Sequence, residues 1–355
     1  MPRLRFALIG CSPIATKHAE SLQHIDEAEL VAVCDLDAER ARSLADKHGV
    51  ACYGDYHKML ETEAPDVVVI LTPSGRHFQH IQDVVRYRKH IVVEKPLALR
   101  LQDADAVIRA CDEAGVKLFV VKQNRLNRPI QALRRAVEQG RFGRLLLGSV
   151  RVRWCRTQEY YDAASWRGTW QWDGGVLTNQ ASHHIDMLEW MMGDVDSVMA
   201  MTATQLARIE AEDTGVGMLR FRNGALGLIE ATTATRPRDL EGSISILGER
   251  GSVVVGGFAM DRLVTWEFSQ REPEDATIFE THGQNPDVFA WNHREYLQSV
   301  IETIRRGTKA LVDGLEGRRS LELINALYES AEGGREVPLR FRPRVCRLGK
   351  SRDEP

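Results

Sequence analysis

The chain has 355 residues, 43% of them apolar and 27% charged, and a formal net charge of −3. That is the composition of a globular protein long enough for two domains with separate cores, and it leaves no basic surplus for holding nucleic acid. No stretch reaches the apolar length of a membrane-spanning helix and the amino terminus enters a strand without a signal-peptide pattern, so a cytoplasmic protein with no membrane partner is expected. Cys11, Cys34, Cys52, Cys111, Cys155 and Cys346 are scattered without a C-x-x-C pair or metal-ligand spacing. They read as small buried hydrophobes or free thiols of a reducing compartment.

Leu4 to Ile9 is an apolar run that stops at Gly10, and Ile14, His18 and Leu22 follow at helical spacing. Leu30 to Cys34 is the next apolar run and ends at Asp35, which makes a β-α-β unit with an acidic residue closing its second strand. This is the layout of a dinucleotide site. The loop Gly10-Cys11-Ser12-Pro13-Ile14-Ala15 departs from G-x-G-x-x-G/A at Ser12. Gly10 suits the tight turn, Ala15 lets helix and strand approach, and Pro13 suits the first turn of a helix whose amino end faces phosphate. Ser12 crowds a pyrophosphate, although its hydroxyl can donate to it; by itself the loop also fits a plain strand-to-helix turn. A carboxylate at Asp35 accepts hydrogen bonds from an adenosine ribose and repels a 2′-phosphate, which favours NAD over NADP. Arg40, on the following helix, either meets a phosphate or adenine or is an ordinary exposed residue.

A helix over residues 38–48, a strand over 51–53, a helix around Met59 and Leu60 and a strand over 67–71 continue an alternation that predicts a parallel sheet. Thr72, Pro73 and Ser74 follow that strand's carboxyl end, the side on which open α/β sheets bind ligands, and His77 opens the next helix. His77 and His80 share a helical face, but without a nearby carboxylate they predict no metal site. Ile91-Val92-Val93-Glu94-Lys95-Pro96 is a buried-strand run that ends in a charged pair and a proline. A lysine there points into the ligand crevice, although a solvated strand end has the same pattern. A helix over 103–114 and a strand over 117–121 complete six strands by about Lys122.

After a helix over 129–139 the period changes: Val150, Val152 and Trp154 alternate with Arg151 and Arg153. Further strand candidates at 197–206, 215–221, 225–231, 243–247, 252–255 and 263–268 imply an antiparallel sheet, followed by helices near 295–305 and 317–330. Arg156, Tyr160, Tyr161, Trp166 and Arg167 fall on a loop. Such a set suits an anionic, ring-containing ligand or else an aromatic satellite core pinned by exposed arginines. The segment from Asp173-Gly174-Gly175 leads into a helix ending at Met192. Asn179 and His183, four apart, share a face if that helix starts early, and Asp186 is placed to orient the imidazole. Histidine beside lysine and an amide suits alcohol oxidation: His183 takes the hydroxyl proton, Lys95 stabilises developing negative charge on oxygen, and hydride leaves for a nicotinamide. A core histidine at a helix start is the plainer alternative. Arg340, Arg342, Arg344 and Arg347 form a basic, flexible end.

Gly10 to Ala15, Thr72-Pro73, Glu94-Lys95-Pro96 and the segment from Gly174-Gly175 to Asp186 together resemble the glucose-fructose oxidoreductase, inositol dehydrogenase and MocA family. The resemblance covers nearly the whole chain. It implies an α/β fold: an NAD-binding Rossmann domain over 1–122, then a C-terminal α/β domain over 123–340 with a large, mainly antiparallel open-faced sheet, and a tail over 341–355. Homodimers or homotetramers would form through that sheet. Lys95 and His183 are the implied catalytic residues; many members have Asp at Asn179, and an amide cannot exchange a proton, so Asn179 is assigned to positioning. Expected cofactor contacts are Gly10, Ser12, Pro13, Ile14, Asp35, Arg40, Thr72, Pro73, Ser74, His77, Glu94, Lys95, Gln123, Trp166 and Arg167. Expected substrate contacts are Arg156, Tyr160, Tyr161, Asn179 and His183.

Within the family, Tyr160-Tyr161, Trp166-Arg167-Gly168-Thr169 and the run from Asn179 to Asp186 look closest to the UDP-N-acetylglucosaminuronate 3-dehydrogenases of bacterial surface-polysaccharide (lipopolysaccharide) synthesis. The resemblance then implies NAD-dependent oxidation of the C3 hydroxyl of UDP-2-acetamido-2-deoxy-glucuronate, with 2-oxoglutarate as a candidate reoxidant. A dehydrogenase of a free sugar or cyclitol needs the same Lys95 and His183. A non-catalytic NAD-binding scaffold or sensor needs neither.

Overall fold

Runs of β-branched residues with both faces covered make the centre of the first sheet: Val67–Ile70 and Ile91 to Val93 are completely buried, as parallel strands between helical layers must be. The computed structural model describes residues 2–285 and 288–339, so the expected tail 341–355, Arg340 and Cys346 lie outside the described residues. Among the described residues the chain divides into two units, the first drawn from 1–98, 102–123 and 289–318 and the second from 99–101, 124–288 and 319–339.

In chain order the first part runs β1 (Leu4–Ile9), α1 (Pro13–Gln23), β2 (Ala28–Cys34), α2 (Ala38–His48), β3 (Ala51–Tyr53), α3 (Tyr56–Glu63), β4 (Val67–Ile70), α4 (His77–Val85), β5 (His90–Val93), α5 (Leu101–Ala114) and β6 (Leu118–Val120). The six strands are all parallel in the order β3-β2-β1-β4-β5-β6. That order reverses between β1 and β4, so the loops after these two strands flank the switch point at which doubly wound sheets bind ligands. Local chemistry sets the boundaries: Asp37 caps α2 by accepting the N–H groups of Glu39 and Arg40, and Gly49 ends it at φ 67°.

The rest runs α6 (Arg128–Glu138), β7 (Leu145–Arg153), α7 (Gln158–Asp162), α8 (Ser182–Met192), β8 (Val195–Ala203), β9 (Thr214–Phe221), β10 (Leu226–Thr232), β11 (Glu241–Gly248), β12 (Gly251–Gly256), β13 (Arg262–Phe268), α9 (Ile278–Thr281), α10 (Val288–Arg306), α11 (Gly314–Gly333) and β14 (Val337–Pro338). The eight-stranded sheet has the order β13-β12-β11-β7-β10-β9-β8-β14. It is mostly antiparallel, with one departure from the expected pattern: β7 and β10 run parallel, paired from Leu147↔Leu226 to Arg153↔Thr232. Gly148 lets α8 lie close on this sheet, since a Cβ there would stand 2.8 Å from the Leu188 side chain. The opposite face carries exposed Met199, Met201, Val216, Met218 and Leu228 on three adjacent strands, with Met218 opposite both Met199 and Leu228. No helix among the described residues is long and apolar enough to cross a membrane.

Candidate active site

At the end of β1 the chain turns through Gly10 at φ +100°, where a Cβ would stand 2.8 Å from the carbonyl carbon and oxygen of Leu71. Only glycine fits such an approach of two backbones. Ser12 is the N-cap of α1, with Pro13 opening the helix and Ile14 next, and its side chain makes no capping bond. The amino end of α1 therefore keeps donors available for an anion. Asp35 closes β2, its Oδ2 accepting the Cys11 N–H at 2.7 Å and its Oδ1 the Asp37 N–H at 2.9 Å. These bonds fix the carboxylate against the glycine loop and leave lone pairs for ribose hydroxyls. Arg40 lies on the surface, its Nε 2.7 Å from Asp37 Oδ2. Gln123 follows β6 with a buried Oε1 that has no hydrogen-bond partner, an acceptor that fits a ligand carrying donors. A glycine turn, a helix amino end, a fixed carboxylate and an orphaned acceptor are together a fitting set for a dinucleotide.

Around Lys95 the backbone is held from three sides. Glu94 N–H donates to Ile70 O at 3.0 Å, and Lys95 N–H donates to Glu94 Oε2 at 3.2 Å. Glu94 Oε1 is 2.9 Å from His18 Nε2 and 4.0 Å from His293 Nε2. Burial works to raise the Glu94 carboxyl, but the hydrogen bond and charge of His18, then His293 and Lys95, outweigh it and hold the carboxyl at about 2. His18, Glu94 and His293 place three donor atoms within 4.8 Å of one another, the one group among the described residues with the donors for a metal ion. The His18–Glu94 separation is that of a hydrogen bond. His77 ties the two crevice loops together, with Nδ1 2.7 Å from Pro96 O and Nε2 2.9 Å from Thr72 O. Burial pulls its pKa down while the two carbonyls pull it up; a neutral ring has one N–H and donates to one of them. Thr72 Oγ1 meets His80 Nδ1 at 2.9 Å, and Ser74, after Pro73, opens a single 3₁₀ turn before α4.

In the second unit α8 begins at Ser182, so Asn179 is not on the same helical face as His183 as the four-residue spacing suggests. It sits in the preceding turn, where its N–H donates to Gly175 O at 2.9 Å. Its amide donates to Asp173 Oδ1 at 2.5 Å, and Asp173 Oδ2 accepts the Gly168 N–H at 2.9 Å. His183 is half-buried, the second residue of α8, whereas His184 is wholly buried against Trp154 and burial pushes its pKa to about 3. Asp186 receives both Nε and Nη2 of Arg125, at 2.9 and 2.8 Å. That buried pair anchors α8, and the Arg125 guanidinium also lies 4.7 Å from the Trp190 ring centre.

The segment expected as one loop is part helix: Tyr160 and Tyr161 lie on α7, because residues 158–162 close a short helical turn, while Arg156, Trp166 and Arg167 flank it. The Arg167 guanidinium stands 4.2 Å from the Tyr160 ring and donates to Tyr160 O at 2.6 Å, and the Trp166 ring lies 5.5 Å away. Arg167 Nε is buried without a hydrogen-bond partner. Arg156 donates to Cys155 O and to Asp239 Oδ1, at 2.7 and 3.1 Å, and its guanidinium stands 5.5 Å from the Tyr160 ring. Tyr161 turns inward, its hydroxyl 2.8 Å from Thr233 Oγ1. His18, Asp173 and Arg125 escape a reading of motifs. The available signals were a histidine on the apolar face of the helix after the glycine loop, and an aspartate directly before Gly174-Gly175.

Residues 4–122 match the oxidoreductase family's NAD-binding Rossmann fold, and residues 134–339 match its C-terminal alpha/beta domain. The chain belongs to the GFO/IDH/MocA oxidoreductase family. It is thus an NAD-binding oxidoreductase, and its dehydrogenase relatives act on sugar and cyclitol hydroxyl groups. Among solved structures, it is 46% identical to the WlbA dehydrogenase from Bordetella pertussis in complex with NADH and UDP-GlcNAcA. That match covers 96% of this chain and 99% of that one, with a TM-score of 0.93. Its similarity to the myo-inositol 2-dehydrogenase of Thermotoga maritima is 28% over 345 residues, covering 95% of this chain and 98% of the relative. For the D-glucoside 3-dehydrogenase of Escherichia coli it is 25% over 358 residues, covering 95% and 97%.

Proposed function

We propose that this chain oxidises the C3 hydroxyl of UDP-2-acetamido-2-deoxy-glucuronate with NAD, as a step in making sugars for surface polysaccharide. The reading is carried by the 46% identity over nearly the whole chain to a dehydrogenase solved with NADH and UDP-GlcNAcA, against 28% to a cyclitol dehydrogenase over a similar span. The stack of Arg156, Tyr160 and Arg167 supports it, because guanidinium forks braced on a ring suit a carboxylate or diphosphate.

NAD, when bound, supplies the hydride acceptor. Asp35 fixes the adenosine ribose, and Gly10 with the amino end of α1 takes the pyrophosphate. His183 removes the hydroxyl proton, Asn179 positions the sugar while Asp173 holds its amide, and Lys95 stabilises the charge that develops on oxygen. Glu94, kept ionised by His18, holds the Lys95 backbone in place. 2-Oxoglutarate is the proposed reoxidant, the cytoplasm the proposed location, and a second copy the proposed cover for the open face around Met218.

Lys95→Ala and His183→Ala test these roles. Each is expected to lower kcat by ~100-fold or more, the usual size of a lost acid-base or electrostatic contribution, with NAD affinity little changed. Retained turnover in either variant removes that residue from the mechanism.

A further inference from the structure

Glu212 is a buried carboxyl for which the proposed reaction has no use. It lies two residues before β9 and is 3% exposed. Its Oε1 accepts the Leu177 N–H at 2.9 Å and the Tyr328 O–H at 2.8 Å, while Oε2 is buried with no hydrogen-bond partner. The Tyr328 oxygen in turn meets Thr178 Oγ1 at 2.9 Å and the Gly175 N–H at 3.3 Å, and the Val176 N–H donates to Glu212 O at 3.0 Å. Every residue from Gly175 to Thr178 is therefore held by Glu212 or by the phenol bonded to it. Gly175 leaves no slack in this packing: a Cβ would stand 2.0 Å from Glu212 Oε2. The same turn carries the site forward, since Asn179 N–H donates to Gly175 O and Ala181 N–H to Val176 O, at 2.9 and 2.8 Å, immediately before α8 and His183.

The two protonation states of this carboxyl load the turn differently. With a proton on Oε2, Oε1 accepts both of its bonds and no charge is buried. Once ionised, the carboxylate strengthens those two bonds but leaves negative charge on Oε2, with no donor, against Gly175. Relief requires the turn to shift until a donor reaches Oε2. Burial, with a smaller push from the Asp173 charge, raises this carboxyl to about 7 despite the lowering by the Leu177 N–H and Tyr328 O–H. The titratable groups that bear on it are Tyr328 from α11 and Asp173 from the preceding turn, and neither is a cation. Asp213, next in the chain, points its oxygens at the N–H groups of Gln205, Leu206 and Ala207.

We propose that Glu212 is a positioning residue for the reaction assigned above: gain or loss of its proton moves the Gly175–Thr178 turn, and with it Asn179 and His183. The proton exchanges with solvent and nothing else is transferred. The inference rests on the reading of His183 as the base, and its test is readable without substrate.

The His183 ring resonance is followed by NMR from pH 5.5 to 8.5 in the full chain, assigned by its loss in His183→Gln, for wild type and for Glu212→Gln. The amide keeps the Oε1 acceptor and does not ionise. Wild type should show an inflection near pH 7 besides the ring's own titration, and Glu212→Gln should lack it; kcat/KM with NAD and UDP-GlcNAcA should lose the same inflection. If Glu212→Gln does not fold, Tyr328→Phe serves: it removes a donor that favours the carboxylate, so the inflection should move to higher pH. Superimposable His183 titrations in wild type and the folded variant overturn the proposal. An altered titration without turnover of the UDP-sugar supports the positioning role and rejects the substrate reading instead.

Discussion

His18→Leu puts an apolar side chain at a buried position of α1 and removes the 2.9 Å contact that answers the Glu94 carboxylate. In wild type that carboxyl is held at about 2 where its ordinary value is 4.5, although it is 8% exposed and burial pulls the other way. Through linkage, a difference of this size corresponds to about 3 kcal/mol of folding free energy. Because the folded value is the lower one, this contribution is complete above pH ~4.5 and is lost as the pH falls through about 2. Without His18 burial is opposed only by the charges of His293 and Lys95, so the carboxyl is expected to rise above its ordinary value, which reverses the sign. Stability then falls as the pH rises through the carboxylate range, and at pH 7 the variant should be ~3–5 kcal/mol less stable, the usual cost of removing one partner of a buried pair. Urea unfolding at pH 5 and pH 7, followed by circular dichroism, measures both parts. A deficit within ~0.5 kcal/mol of zero at pH 7, or one of equal size at the two pH values, refutes the reasoning, since surface-like substitutions fall in that range.

Asp35→Ser removes the carboxylate that the Cys11 and Asp37 N–H groups hold in place. The ratio of kcat/KM for NAD over NADP should fall by ~10-fold or more, consistent with the loss of one charge-assisted contact and one repulsion, and an unchanged ratio means that another residue sets the preference. Met218→Lys places a charge in the exposed apolar face of β8, β9 and β10, where Met201 is 71% and Met218 56% exposed. Sedimentation should find wild type as dimers or tetramers and the variant shifted toward single chains; a wild type that sediments as a single chain removes the proposed interface.

Where local chemistry decides an element, the residues themselves reveal it. The β4 and β5 runs, the Asp37 cap and the Gly49 stop of α2 are all contained in a few neighbouring positions. The strand expected over 197–206 shows the limit of that reading, for β8 ends at Ala203. The Asp213 carboxylate gathers the N–H groups of Gln205, Leu206 and Ala207, which takes them out of the sheet. Alternating Val150, Val152 and Trp154 reveal a strand with one buried face, but alternation does not say which strand lies beside it, and the parallel pairing with β10 joins distant parts of the chain. The same holds at the candidate site. Lys95, His183 and Asp35 stand out by position within a motif, whereas Glu94 depends on His18, Asp186 on Arg125, and the Gly175 turn on Glu212 and Tyr328. Each of these partners is far away in sequence and is found only through packing.

The substrate reading is tested most directly by anaerobic mixing of the purified protein and NAD with UDP-GlcNAcA, and separately with myo-inositol and free glucuronate, following reduced nicotinamide by absorbance. The account predicts a rise with the UDP-sugar acid at a kcat/KM at least ~100-fold above either free compound, consistent with ~3 kcal/mol of binding to the nucleotide diphosphate, and decay of the signal when 2-oxoglutarate is added. Equal or faster reduction with a free sugar or cyclitol contradicts it.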